Sequence, residues 1–187
     1  MPASIAELSR KMLYKPTRVE VAPASSVVDT IKQSLYMIEK PEKSKLLLNL
    51  LKKEGIKSTL VFSRTKHGAD KIAKILNKNG ILCDAIHGNK SQNARQRALT
   101  NFKAGKTHVI IATDIAARGI DIDNLQLVIN YDLPDVAETY VHRIGRTGRA
   151  GHNGSAITFC STDERVMLRD IQKLTGKKLN VVAQQSA

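Results

Sequence analysis

The stretch YVHRIGRTGRAG, residues 140–151, sets His142, Arg143, Arg146 and Arg149 among the glycines at 145, 148 and 151. An ordinary surface uses lysine as freely as arginine, and an ordinary turn needs no guanidinium at these positions. The spacing therefore reads as a device for reaching a polyanion. Two further stretches carry residues suited to the same kind of ligand. ATDIAARGIDI, residues 112–122, ends an apolar run on Thr113 and Asp114 and then carries Arg118, Gly119 and Asp121. Arg118 and Asp114 are placed to pair and brace this loop, which would leave Asp121 to accept hydrogen bonds from a ribose and Thr113 to meet a phosphate. A purely internal acidic–basic network bracing the turn is the competing reading. HGNKSQNARQRAL, residues 87–99, offers Gly88 for a close backbone approach and Ser91 as a helix N-cap. Gln92 and Arg95 share the face above that helix start, where amide groups favour anions.

One tempting motif fails. Gly105, Lys106 and Thr107 resemble the end of a phosphate-binding loop, but the required earlier glycine is Thr100. The triplet also follows a helix and precedes a strand, which is the wrong end. It reads as a helix stop, with Gly105 ending the helix and Lys106 at its negative terminus. No DExD run follows any strand, so the 187 residues carry neither a phosphate loop nor a Mg²⁺-binding acidic box of that type.

These stretches must be held by regular elements, and the pattern supplies them. Strand-like runs lie near SLYMIE, KSTLVFS, ILCDAIH, THVIIAT, LQLVINYD and GSAITFCS. Between them stand helical patterns, such as KPEKSKLLLNLLKKEG with Leu46, Leu47, Leu50 and Leu51 on one stripe and Gly55 as a stop. A second pattern is TKHGADKIAKILNKNG with Ala69, Ile72, Ala73 and Leu76, and the last helix is DERVMLRDIQKLTG. In DVAETYVHRIG, Val136, Tyr140 and Val141 are expected to pack towards the sheet. Strands such as HVIIA are continuously apolar, as strands covered on both faces are. The expected fold is a three-layer α/β domain with about six mostly parallel strands flanked by helices. Ligands of such sheets sit beyond the carboxyl ends of the strands, where SRT, HGN, TDIAARGID and YDLPD fall.

Composition fits one domain. Of 187 residues 42% are hydrophobic, and 30 Lys+Arg against 17 Asp+Glu leave a net charge of +13. That charge favours nucleic acid or another anion as partner. Aromatics are only 4%, with no Trp, so contacts to phosphate and sugar are expected rather than base stacking. Cys83 and Cys160 lie in apolar strand-like runs without metal-ligand spacing and read as inert buried thiols. No apolar run is long enough to span a membrane, and the cytoplasm is the expected compartment. Residues 1–30 read as a short helix, ASIAELSRKML, followed by a linker, and 177–187 as a tail.

Together VFSRTK (61–66), HGNKSQNAR (87–95), ATDIAARGIDI (112–122) and HRIGRTGR (142–149) resemble the successive motifs of the second RecA-like lobe of DEAD-box ATP-dependent RNA helicases. The match runs over about 31–176 and looks most like the bacterial RhlE-like branch. There Arg64 stands where the family often has Asn. The first residues resemble the end of the family's first lobe, so residues 1–30 would be that end plus the interdomain linker.

The resemblance implies roles. Arg146 and Arg149 would be arginine fingers for ATP. Asp121 would meet its ribose, and His142 would couple the loop to neighbouring groups. Arg64, Gly88, Gln92, Arg95, Thr113 and Asp114 would contact the RNA backbone. Arg118 and Arg143 would brace the loops. ATP and Mg²⁺ would be held mainly by the first lobe, leaving this chain inactive as an ATPase alone, with nothing tightly bound and no metal of its own. RNA, the first lobe in cis, and factors of ribosome assembly or RNA decay would be the partners. The alternatives are an RNA-binding module without enzymology, a DNA helicase lobe, and an adaptor surface. The Arg146/Arg149 pair counts against the first, and the histidine-led HRIGRTGR against the second. The lysines of LLKKEGIK and KIAKILNK read mostly as a solvated surface, and no partner motif supports the third. The arginine loop, without its anion, is expected to be loosely held.

Overall fold

A computed structural model of the chain describes residues 3–14, 31–52, 58–120, 122, 125–148 and 154–182. Helix α1 (Ala3–Met12) is followed after residue 30 by β1 (Ile31–Met37), α2 (Lys43–Leu51), β2 (Thr59–Phe62), α3 (Lys66–Lys78), β3 (Cys83–Ile86) and α4 (Gln92–Lys103). Then come β4 (Val109–Ala112), α5 (Asp114–Ala117), β5 (Leu127–Asn130), α6 (Ala137–Ile144), β6 (Gly154–Cys160), α7 (Arg165–Thr175) and β7 (Asn180–Val181). All pairings are parallel, in the order β3-β4-β2-β5-β6-β1-β7. Every described strand thus ends on the same edge of the sheet. The loops after β3, β4, β2 and β5 stand side by side there.

Alternation along the strands sorts the core into two layers. Val61, Val109, Ile111, Leu127 and Ile129 pack under α2 and α3. Leu60, Phe62, Ile110, Ala112 and Val128 face the opposite way, against α4 and α5. Further along that second face, Leu35, Ala156 and Cys160 meet α6 and α7. The helical stripes do what their spacing requires. Leu47, Leu50 and Leu51 of α2 and Ala69, Ile72, Ala73 and Leu76 of α3 are buried.

Caps set the ends that matter for the edge. The Thr65 hydroxyl accepts from the Gly68 amide at 3.0 Å, and the Ser91 hydroxyl from the Ala94 amide at 3.3 Å. At the other end of α4, Gly105 takes φ +69° and the Lys106 amide returns to the Asn101 carbonyl at 2.9 Å. The Gly-Lys-Thr triplet is therefore a helix terminator.

Three sequence expectations need adjustment. The first strand opens at Ile31 rather than near 34. A seventh strand, Asn180–Val181, adds to β1 at the sheet border, with Leu179 buried beside it. Val136 is 54% exposed, because it is the extended N-cap of α6 and not part of its buried stripe. Tyr140 and Val141 are buried as expected.

Candidate functional site

Through residue 148 the arginine loop behaves differently from what its glycines suggest. Arg143 leaves the last turn of α6 and is 2% exposed. Its Nε and Nη2 donate to the two carboxylate oxygens of Asp114 at 2.6 and 2.7 Å. Its Nη1 donates to Asn130 Oδ1 at 3.1 Å and to the Asp132 carbonyl at 2.7 Å, while the guanidinium lies 4.8 Å from the Phe62 ring centre. One side chain thereby ties the ends of β2, β4 and β5 to α6. A buried charge is tolerable only when paired and hydrogen-bonded this fully. The Asp114 partner is thus Arg143, not the nearby Arg118, and both Asp114 oxygens are engaged inside the domain.

Beyond Arg143 the backbone is also held. The Leu125 amide donates to the Arg146 carbonyl at 3.2 Å, and the buried Thr147 hydroxyl donates to the Leu125 carbonyl. Gly148 takes φ +69°, and a Cβ on Gly154 would lie 2.3 Å from the Gly148 nitrogen. Close backbone packing, not freedom, is what Gly154 supplies. The expectation of a loosely held loop therefore fails through residue 148. Arg149, Gly151 and Asp121 lie outside the described residues.

Arg146 is half-buried, with Nη1 and Nη2 directed to the Ile120 and Ala117 carbonyls at 3.4 and 3.5 Å. It shares an open depression with Phe62, Asp114, Ala117, Arg118, Thr139, His142 and Arg143. Arg118 and His142 are exposed there. The structure thus gathers Arg146, His142 and Arg118 around one concave surface, floored by the Asp114–Arg143 pair.

The remaining candidates lie along the same edge. Thr113, half-buried, occupies the N-cap position of α5 without a side-chain capping hydrogen bond. Gly88 is exposed, with open space where a Cβ would be. Gln92 is exposed and Arg95 half-buried on α4. Beside Gly88, the buried His87 places Nε2 3.0 Å from Asp70 Oδ1, and Lys90 reaches the same oxygen at 2.9 Å. His87 and Lys90 hold the Asp70 carboxyl below its usual range against a smaller opposing effect of burial.

Arg64 follows β2. Its Nε and Nη2 donate to the Leu133 carbonyl at 3.4 and 3.2 Å, and Nη2 also donates to Glu164 Oε1 at 2.9 Å. That leads to a cluster that sequence reasoning missed. Lys43 is 1% exposed and donates to Glu164 Oε2 at 2.7 Å and to the Tyr131 carbonyl at 2.8 Å, with Asp132 Oδ1 at 3.5 Å. Glu164, 4% exposed, further accepts from the Leu133 amide, the Ser161 amide and the Ser161 hydroxyl. Burial pushes its carboxyl up, but Lys43 and the two amides outweigh that and hold it below the usual range. Only the capping box of Ser161 and Glu164 was a local signal. Burial also raises the two thiols, Cys83 to about 12 and Cys160 to about 11.

Residues 42–151 match the family described as the helicase conserved C-terminal domain, and the chain belongs to that family. Within it, the chain is a C-terminal RecA-like lobe of the DEAD-box kind. The ATP-dependent RNA helicase DbpA of Bacillus subtilis is 40% identical over 182 residues, 97% of this chain and 38% of that protein. The DEAD-box ATP-dependent RNA helicase CshA of the same bacterium is 40% identical over 180 residues, 96% of this chain and 36% of that protein. The chain thus spans less than two-fifths of the length of these curated relatives. Among solved structures, S. cerevisiae Dbp5 bound to RNA and ADP BeF3 superposes with a TM-score of 0.85 at 32% identity, covering 97% of this chain and 49% of that one. The E. coli DEAD-box protein SrmB, bound to regulator of ribonuclease activity A, superposes with a TM-score of 0.76 at 32% identity, covering 82% of this chain and 90% of that one. No described helix is long and apolar enough to cross a membrane.

Proposed function

We propose that this chain is the second lobe of an ATP-dependent RNA helicase, supplying arginines to ATP held by a first lobe and half of an RNA-backbone cleft. The observation that carries the reading is the division of labour within one loop. Arg143 is sealed onto Asp114, and that pair floors the depression where Arg146, His142 and Arg118 meet solvent. A passive RNA binder has no use for a rigid platform under a second arginine.

ATP and Mg²⁺ would sit mainly on the first lobe, the Mg²⁺ neutralising phosphate charge there. This chain's part is positional and electrostatic. In-line attack spreads negative charge over the transferring phosphoryl group, and guanidinium groups from Arg146 and Arg149 offset it only when the lobes close. Asp121 would take the ribose, and His142 would link the loop to groups across the cleft. RNA lying along Arg64, Gly88, Gln92, Arg95 and Thr113 favours closure, which couples the two ligands through one motion. Asp114 serves that wall by anchoring Arg143 through its carboxylate rather than by meeting the RNA itself. Contacts to phosphate and sugar give weak sequence preference. Placement in the RhlE-like branch rests on Arg64, and partners beyond RNA and the first lobe would come from ribosome assembly or RNA decay.

The test is RNA-stimulated phosphate release by the two-lobe protein. Arg149→Ala should lower turnover steeply, within the roughly 10³–10⁵ range that trans arginines contribute elsewhere, and leave nucleotide-free RNA affinity nearly unchanged. Arg95→Ala should do the reverse. Turnover within twofold of the parent for Arg149→Ala at saturating RNA would show that it is not a finger.

A further inference from the structure

We propose that Glu164 is a positioning residue for RNA, holding Arg64 so that one edge of its guanidinium is presented to a backbone phosphate. The inference rests on the RNA-cleft reading above. Arg64 is 39% exposed, whereas Glu164 is almost wholly buried. Three of the five guanidinium N–H groups are occupied inside the domain: Nε and one Nη2 hydrogen on the Leu133 carbonyl, and the other Nη2 hydrogen on Glu164 Oε1. Nη1 makes no hydrogen bond among the described residues, which leaves both of its hydrogens for an incoming oxygen. The backbone is pinned as well, since the Arg64 amide donates to Asp132 Oδ2 at 3.0 Å.

Glu164 itself has little freedom to move. Its second oxygen is taken by Lys43, the Ser161 amide and the Ser161 hydroxyl, and its first by the Leu133 amide beside Arg64. The charged groups around Arg64 are thus Glu164, Asp132 and the exposed Asp135, whose carboxylate lies 3.5 Å from Nε, with the exposed Lys40 at longer range. A long, rotamer-rich side chain normally loses freedom when it grips a ligand. Here the fold has already removed that freedom. Two opposing effects follow from removing the Glu164 charge. Long-range attraction for RNA rises, and Arg64 is released. Positioning is expected to win, because a guanidinium acts on phosphate through directed pairs of bonds.

The experiment measures binding of a fluorescein-labelled single-stranded ten-uridine RNA to the 187-residue chain at low salt, with an amide NMR spectrum of each variant as the folding control. Arg64→Ala, Glu164→Gln and their double variant form a cycle, and Glu164→Asp is a charge-preserving second test. Arg64→Ala should weaken binding about five- to tenfold. Glu164→Gln and Glu164→Asp should each weaken it about threefold, and Glu164→Gln should have no further effect once Arg64 is gone. Charge removal alone would tighten binding, so weakening identifies positioning. Unchanged or tighter binding by both Glu164 variants, or an equal loss with and without Arg64, overturns the proposal and leaves the RNA-cleft reading standing. No loss for Arg64→Ala removes Arg64 from the RNA wall and the positioning role with it.

Discussion

Two charged clusters share the carboxyl edge of the sheet, and they are built to opposite ends. The Arg143 cluster is closed: four of the five guanidinium N–H groups meet Asp114, Asn130 or the Asp132 carbonyl, and the side chain is 2% exposed. The Lys43 cluster is closed at one end only. Lys43 and Glu164 are sealed, but the chain of contacts runs out through Arg64, which is 39% exposed. Arg143 is a fastener, and Arg64 is an arm on a fixed mount. Position in a cation-rich motif does not by itself tell these apart. The deciding quantity is how many N–H groups the fold has already used.

The largest effect should come from breaking the closed cluster. Arg143→Ala leaves the Asp114 carboxylate and the Asn130 and Asp132 oxygens without their donor, and removing one partner of a buried pair costs about 3–5 kcal/mol. Urea unfolding should show that loss as a lowered midpoint with an unchanged slope. A cost below about 1 kcal/mol would mean that the two clusters do not differ in kind.

Lys43→Met should cost less, about 2–3 kcal/mol, because Arg64 and two amides still serve Glu164. The same cluster should be visible in acid. The folded Glu164 carboxyl lies below its usual range, mainly through Lys43 once the opposing effect of burial is overcome. Its contribution to stability is therefore full above the ordinary carboxylate value and is lost as pH falls through the depressed folded value. Glu164→Gln should flatten the acid limb of a stability–pH curve over that window. An unchanged limb would assign acid sensitivity to other carboxyls, such as Asp70.

A smaller effect is expected where the arginine loop meets β6. In Gly154→Ala the new methyl would lie 2.3 Å from the Gly148 nitrogen and 2.4 Å from the Thr147 hydroxyl. Backbone must shift, at about 1–3 kcal/mol as for other overpacked sites. The same variant in the two-lobe protein should lower turnover more than RNA affinity, since it displaces the arginine loop and leaves the Arg64 side intact.

Much of this edge was legible in the residues, and the failures share one cause. Continuous apolar strands gave the parallel sheet, Ser91 announced the start of α4, and Gly105 its end. Those signals are local. Arg118 stands close enough to Asp114 in sequence to look like its partner, but the fold brings α6 over the ends of β4 and β5 and delivers Arg143 instead. Lys43 and Glu164 are 121 positions apart, and each alone looks like a solvated charge. The glycines of the arginine loop suggested freedom, whereas Gly148 lies where its backbone meets that of Gly154 in β6. Long-range pairings of single polar side chains leave no periodicity to read.

Arg143 is spent on the fold, and the proposed function needs that platform for Arg146 and Arg149 to meet a phosphate. The most direct measurement is a structure of the two-lobe protein with RNA and a non-hydrolysable ATP analogue. The Asp114–Arg143 pair should be unchanged there, with the Arg149 guanidinium about 3 Å from a terminal phosphate oxygen, a charge-assisted contact. A closed cleft in which Arg149 packs into its own lobe, or in which Arg143 leaves Asp114 to reach the phosphate, would contradict the proposed function.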